Sequence, residues 1–349
     1  MKEKKPSNAT LGDVANMAGI SKTSAGCALK NLPGVSEETR KRVLQIARQL
    51  NYSPDARLAS RMAGLRQAAT RDLLPIAWLN SNEKKDAWQD YQFLSPYQEG
   101  ARLRCKELGY RLEEIWTRQP GLKMRRISQI IDQQGIEGVI VTEPLRHVRL
   151  NWDRLAGVCI GGGLLMPQLH RITTNSVFNL ATALKMLKRF GYQRIGICLT
   201  EEAERFSGHQ VRSTAYYFNS TLPQSRRVKH LFFPYMIMKP GVDGEMAAAW
   251  VKRERPDVVV GLSNHLVNWV RAAGYRVPED VGVVHLAIED DVLDWAGIYA
   301  NKREVGRLAA NTLVALIQSR ELRIPRINST LLVRGTWRPG RTLLIPKPK

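Results

Sequence analysis

Between Thr10 and Leu50 the apolar residues recur at helical spacing in three short blocks, and the residues that separate the blocks are turn-formers and caps. Leu11, Val14, Ala15 and Ala18 fall on one face of a helix. Thr10 stands where an N-cap belongs, with Asp13 at capping-box spacing from it. Gly19 closes the helix, because glycine turns left-handed without strain. Ser21 caps a second helix from Lys22 to about Lys30, with Ala25, Ala28 and Leu29 turned inward. Ser36 caps a third, whose Val43, Leu44, Ala47 and Leu50 are expected to cover the first two. Glu37 and Glu38 lie at its positive end, and Arg40, Lys41, Arg42 and Arg48 follow. Two short helices joined by a tight turn containing glycine make a helix-turn-helix.

In that motif the second helix enters the major groove of DNA and its first residues meet base edges. Here those residues are Lys22 and Thr23, with Cys27 one turn later. Lysine donates to guanine, and threonine suits either base type or a thymine methyl. Thr10, Ser21 and Ser24 carry hydroxyls suited to phosphate oxygens, which position a protein without reading sequence. On spacing alone, an ordinary three-helix subdomain with a solvated basic face remains open.

The residues themselves narrow the choice. Thr10-Leu-Gly-Asp-Val-Ala-Asn-Met-Ala-Gly-Ile-Ser21, Val35-Ser-Glu-Glu-Thr-Arg40 and Asn51-Tyr-Ser-Pro54 together resemble, almost without gaps, the N-terminus of the lactose-repressor (LacI/GalR) family of bacterial transcription regulators. The resemblance implies base reading by Lys22, Thr23 and Cys27, and phosphate contacts by Thr10, Leu11 (through its backbone), Ser21, Ser24 and Tyr52. Two departures stand out. Where the family usually has Val-Ser-Arg, this chain has Ala25-Gly26-Cys27. Gly26 should weaken the helix by about 1 kcal/mol relative to alanine, and Cys27 removes a bidentate donor. The operator is therefore expected to differ from that of a typical relative. Beyond Pro54, the run Arg57 to Met62 suggests a short hinge helix. By resemblance it pairs with its mate in a dimer and wedges an apolar side chain, Leu58 or Met62, into the minor groove.

From about Leu73 the pattern becomes short apolar runs alternating with helical stretches. One set of strands is 75–79, 111–116, 138–141 and 157–160, and a second is 194–199, 230–233, 257–260 and 282–286. Helices are expected over 98–108, 124–134, 180–190 and 244–253. Such alternation implies parallel sheets with helices on both faces, and two sets imply two lobes with a cleft between them. Gly100-Ala, Leu108-Gly-Tyr110, Val277-Pro-Glu-Asp-Val-Gly282 and Gly335-Thr-Trp337 resemble segments of the periplasmic-binding-protein-like sensor domain of the same family. The resemblance places that family's effector arginine on Arg212, which is read either as a ligand contact or as a structural ion pair. The family's Asn-Asp pair falls on Asn264-His265, read as cleft lining, so its carboxylate is missing. A second acidic position falls on Ala287-Ile288, with Glu289 just beyond. Trp78, Trp116 and Trp295 are expected to pack in cores.

The formal net charge is +21, yet residues 1–70 hold only 12 of the 53 basic and 5 of the 32 acidic residues, which leaves a net of +14 for the rest. Attraction to a polyanion is therefore not confined to the N-terminal module. Cys27, Cys105, Cys159 and Cys198 are widely spaced and read as free thiols of a reducing compartment. No secretory signal follows Met1, and no apolar run nears the roughly 20 residues of a membrane span. No P-loop, nucleophile elbow or paired metal-binding histidines support an enzyme, so no catalytic residue, metal ligand or cofactor is assigned.

The expected organisation is a basic arm (1–9), a headpiece (10–54), a hinge and linker (55–72), a doubly wound α/β two-lobed domain for effector sensing and dimerisation (73–342) and a tail (343–349). The expected function is that of a cytoplasmic, nucleoid-associated homodimer on a palindromic DNA operator, most simply a repressor. Its affinity would be set by a small molecule, with carbohydrates the leading class. A basic DNA-coating protein with a vestigial ligand lobe is the alternative, and a solute-binding protein without DNA-binding function fits less well.

Overall fold

The computed structural model describes residues 11–29, 34–50, 52, 73–82, 85, 95–143, 145–201, 208–233, 240–288 and 292–344. The N-terminal module is three helices, α1 (Leu11–Ala18), α2 (Lys22–Leu29) and α3 (Glu37–Gln49). Gly19 takes φ 66° at the end of α1. The Ser24 amide donates to Ser21 Oγ (3.0 Å) at the start of α2. The Thr39 amide donates to Ser36 Oγ at the start of α3. Val14, Ala18, Ala28, Val43, Ile46 and Ala47 form the core of the module. Leu44 corrects the expectation for α3. It is exposed, and Ile46 takes the inward place, because positions 43, 46, 47 and 50 form the stripe that faces the other two helices.

Gly26 lies inside α2 with ordinary space around it. A Cβ there would meet only Leu11 Cδ2, at 3.8 Å. Gly26→Ala is therefore expected to stabilise the module by about 0.5–1 kcal/mol through helix propensity and the entropy of the unfolded chain. Thermal unfolding of the isolated transition of the module would show the gain. A loss of stability would mean that α2 is packed more tightly than this.

The remainder is two α/β lobes. The first contains β1 (Leu74–Asn80), α4 (Ser95–Glu107), β2 (Tyr110–Trp116), α5 (Met124–Gln133), β3 (Gly138–Val141), β4 (Ala156–Ile160) and β5 (His170–Thr174). The chain then crosses to the second lobe through α6 (Ser176–Arg189), β6 (Ile195–Thr200), α7 (Gln210–Ser220), β7 (Leu231–Phe233), α8 (Pro240–Glu254), β8 (Val258–Gly261), α9 (Leu266–Ala272), β9 (Gly282–Ile288) and β10 (Gly297–Tyr299). It returns to the first lobe with α10 (Lys302–Ser319) and β11 (Thr330–Val333), and ends in the second with β12 (Thr336–Arg338).

Strand order is β11-β5-β4-β3-β1-β2 in one sheet and β12-β10-β9-β8-β6-β7 in the other. All pairings are parallel except β10 with β12, so the sheets are parallel in the main, as expected of a doubly wound α/β domain. The lobes are also not consecutive in sequence. Three crossings join them, and hydrogen bonds tie the crossings together. The Asn175 amide donates to the Val333 carbonyl (2.7 Å), Asn301 Nδ2 to the Arg334 carbonyl (2.9 Å) and the Gly335 amide to Asn179 Oδ1 (2.8 Å). Trp78 and Trp295 are buried in cores, as expected, and Trp116 donates its indole N–H to the Asn82 carbonyl.

The crossing of α4 and α10 sets one wall between the lobes. Gly100 and Gly306 bring the two helix backbones together so closely that a Cβ on Gly306 would overlap the Tyr97 carbonyl oxygen and lie 2.9 Å from the Ala101 nitrogen. On Gly100 it would overlap the Arg303 carbonyl. The same crossing brings Lys302, at the start of α10, over the Tyr97 ring, 5.7 Å from its centroid.

Candidate functional sites: a recognition helix and an interlobe cleft

Two features stand apart from the packing of the cores. The first is the start of α2. Lys22 and Thr23 are exposed, while Cys27, one turn on, is partly buried. Ser21 Oγ and Ser24 Oγ share a hydrogen bond (2.9 Å) at the exposed mouth of the same helix. Leu11 stands at the start of α1, and Tyr52 packs against the module's core. Helix spacing alone therefore brings Ser21, Lys22, Thr23 and Ser24 to one polar edge. Thr10, Leu58 and Met62 lie outside the described residues.

The second is a cavity of about 870 Å³ between the lobes. It lies at the carboxyl ends of β3, β4 and β5 on one side and of β6, β8 and β9 on the other, where open parallel sheets leave a crevice for ligands. Phe233 and Trp269 supply aromatic surface, and Thr173, Ser176, Thr200 and Gln210 supply polar groups.

Four side chains dominate its electrostatics. Glu143 follows β3, and its Oε1 accepts the amides of Gly162 (2.6 Å) and Gly163 (3.1 Å). The three-glycine run is thus a turn at the cleft that cradles a carboxylate. Gly161 needs to be glycine twice over, since its φ is 84° and a Cβ would overlap that carboxylate. Arg171, on β5, donates to the carbonyls of Gly161 (3.2 Å) and Leu164 (2.9 Å). Lys302 is only 8% exposed, and burial lowers its ammonium to a pKa of about 7, with Glu143 pulling the other way. His285, a polar residue in the otherwise apolar strand β9, is 2% exposed, and burial lowers it to about 4. Its Nδ1 accepts the Ala287 amide (3.2 Å), and its Nε2 is buried beside the Leu262 carbonyl. Burial and then Glu143 raise the Tyr97 phenol, and a hydrogen bond with Thr174 opposes them.

Three helices of eight or more residues also begin on this wall, at Ser176, Gln210 and Lys302. Their N-terminal ends carry partial positive charge.

The residues assigned from sequence divide. Asn264 and His265 both line the cavity, at the turn before α9. Arg212 does not. Its guanidinium pairs with Glu201 (2.8 Å) and stacks over the Phe232 ring (4.1 Å), which is the ion-pair alternative. Glu289 lies outside the described residues, one position beyond β9. Glu143, Arg171, His285, Lys302 and Tyr97 were missed. A carboxylate just after a buried strand, and a histidine within one, were signals for two of them. Nothing local marks Lys302, whose burial depends on a helix crossing.

Comparison with known proteins agrees with this architecture. Residues 10–55 match the bacterial regulatory proteins of the lacI family, and residues 184–337 match the periplasmic binding protein-like domain. The HTH-type transcriptional repressor PurR of Vibrio vulnificus is 24% identical over 351 residues, covering 94% of this chain and 98% of that protein. The helix-turn-helix module, residues 10–55, belongs to the lacI family. The probable HTH-type transcriptional repressor ExuR of Bacillus subtilis is 23% identical over 354 residues, covering 94% of this chain and 98% of its own.

The fold of this chain is also that of solved regulators. The transcriptional regulator CelR in complex with cellobiose superposes with a TM-score of 0.56 at 18% identity, covering 96% of this chain and 99% of that one. The Lac repressor dimer bound to operator and an anti-inducer gives 0.55 at 17% identity, covering 97% and 100%. This chain is a DNA-binding transcription regulator with a helix-turn-helix module and a periplasmic-binding-protein-like two-lobed domain. Among the described residues, no helix is long and apolar enough to cross a membrane.

Proposed function

We propose that the protein is a homodimeric repressor that binds a palindromic operator and releases or tightens on it when a small molecule occupies the interlobe cleft. The observation that carries this reading is the presence, in one chain, of an exposed helix edge at Lys22 and Thr23 and a polar cavity between two lobes. One helix-turn-helix reads few base pairs, so two half-sites are needed for useful specificity. Lys22, Thr23 and Cys27 read bases. Thr10, the Leu11 backbone, Ser21, Ser24 and Tyr52 hold phosphates, and Leu58 or Met62 enters the minor groove. The domain limits at 54, 72 and 342 are part of the same proposal.

In the cleft, Asn264 and His265 contact ligand. Arg212 acts at one remove, holding the base of α7 through Glu201. The three tied crossings are the hinge. A ligand shifts the operator affinity only if it binds the two lobe arrangements unequally. Cytoplasmic operation at the nucleoid follows from the operator partner.

Selection of bound duplexes from a random DNA pool, with the purified protein at near-physiological salt, tests the reading. A palindromic consensus is the expected result. Binding with no enriched sequence and a steep salt dependence would instead establish a non-specific DNA-coating role.

A further inference from the structure

We propose that the outer end of the second lobe is a further DNA-binding face. It holds the phosphate backbone of a second duplex, without regard to sequence, while the headpiece holds the operator. The inference goes beyond the operator reading and does not depend on it.

The first observation is where the charge lies. The chain after residue 70 carries a net +14 that the headpiece does not explain. Much of it collects where β6, β7, β8 and β9 begin. The carboxyl ends of both sheets meet at the cleft, so these amino ends form the outer pole of the second lobe. The headpiece joins the chain at the amino end of β1, the pole of the other lobe. Segments 188–194, 225–229, 252–257 and 276–280 hold ten cations against four carboxylates.

The second observation is that this is one face. The Arg194 guanidinium donates to the carbonyls of Ser225 (2.6 Å), Arg255 (3.1 Å) and Glu254, which draws the turns before β6, β7 and β8 together. The Lys229 amide donates to Glu254 Oε2 (3.0 Å) and the Gln193 amide to Asp257 Oδ2 (2.6 Å). Glu254 also pairs with Arg253, and Asp280 with Arg276. Among the described residues, no carboxylate forms an ion pair with the exposed Arg226, Arg227 or Arg255. Lysines and arginines in the last turns of α6 and α8 complement the helix dipoles. Arg226, Arg227, Lys229 and Arg255 lie outside the α-helices and have no such role. Arg255 even holds φ 48°, where glycine is favoured.

The third observation selects the partner. Arginine predominates, and its planar fork matches phosphate oxygens. None of the exposed large apolar side chains among the described residues belongs to these four segments. A protein partner would find no anchor for an interface core, and a bilayer would receive no apolar wedge. Contacts to a DNA backbone need neither, being polar and wet. A regulator seated on its operator also has neighbouring duplex at high effective concentration.

Lysine acetylation of the full-length protein, read residue by residue by mass spectrometry, tests this. Operator duplex is expected to protect Lys22 and leave Lys229 and Lys252 reactive. Excess duplex of unrelated sequence should then protect Lys229 and Lys252 several-fold. Protein on bead-bound operator should also retain the unrelated duplex when it carries a fluorescent label. In the combined variant Arg226→Gln, Lys229→Gln, Arg255→Gln, operator affinity should be unchanged. Affinity for the second duplex should fall, and its log–log salt dependence should become shallower by about 3, one contact for each lost charge.

Three results would overturn the proposal: Lys229 and Lys252 staying reactive, equal retention by the combined variant, or displacement of the second duplex by polyglutamate or anionic vesicles more readily than by DNA. The footprint on the unaltered protein decides the matter should the variant not fold. Failure of the operator reading shows separately, as a duplex selection without a consensus, and the footprint is then read with random-sequence duplex alone.

Discussion

Replacing Gly306 by alanine is expected to destabilise the two-lobed domain by about 3 kcal/mol, the upper part of the range for forcing an extra methyl into a packed interface. In most helix interiors the same change would help, by roughly 1 kcal/mol. Here the added Cβ would overlap the Tyr97 carbonyl oxygen and crowd the Ala101 nitrogen, and both are backbone atoms of α4 that no rotamer change can move. The helices would have to separate. Separation would loosen Val305, Ala309 and Leu313 from the first lobe's core, and would shift Lys302 away from Tyr97 at the cavity wall. Urea unfolding followed by tryptophan fluorescence measures the loss. A Gly306→Ala protein as stable as the parent would show that α4 and α10 do not cross in this way. Gly26→Ala is the internal control, since the same substitution there has the opposite expected sign.

Lys22→Ala is the largest expected effect on DNA binding. The side chain is exposed at the first position of α2, with nothing in the module depending on it for packing. Its removal should leave folding unchanged and cost about 1–3 kcal/mol of specific affinity, with base preference relaxed at one position of each half-site. A dimer would lose the contact twice. The checks are a titration against the selected duplex and a repeat of the selection with the variant. A fall in affinity that is uniform across sequences, with the consensus intact and a shallower salt dependence, would make Lys22 a phosphate contact instead.

Much of the headpiece was legible because its determinants are local. Gly19, Ser21 and Ser36 act on chain segments three or four residues away, and the hydrogen bonds at Ser21 and Ser36 are the ones their spacing implies. The exception is informative. Leu44 and Ile46 are both apolar, and only the direction from which α1 and α2 approach α3 decides which is inside. In the large domain, the strand-helix alternation was legible for the same reason. The core strands 138–141 and 258–261 are three valines or isoleucines and one glycine each, buried along their whole length.

The strands that were missed, β5, β10, β11 and β12, are short or carry polar residues, and they are strands because a neighbour completes their hydrogen bonding. The sequence by itself therefore determined the kinds of element, the DNA-binding module and the presence of two lobes, all of which follow from periodicity and caps over a few turns. Tertiary structure alone decided that α10 and β11 return to the first lobe, that Arg212 pairs with Glu201, and that Glu143, His285 and Lys302 meet in one cleft. Those residues are more than a hundred positions apart along the chain in the case of Glu143 and His285. Their environment is set by which backbones can approach closely, at glycines whose neighbours in space are not their neighbours in sequence.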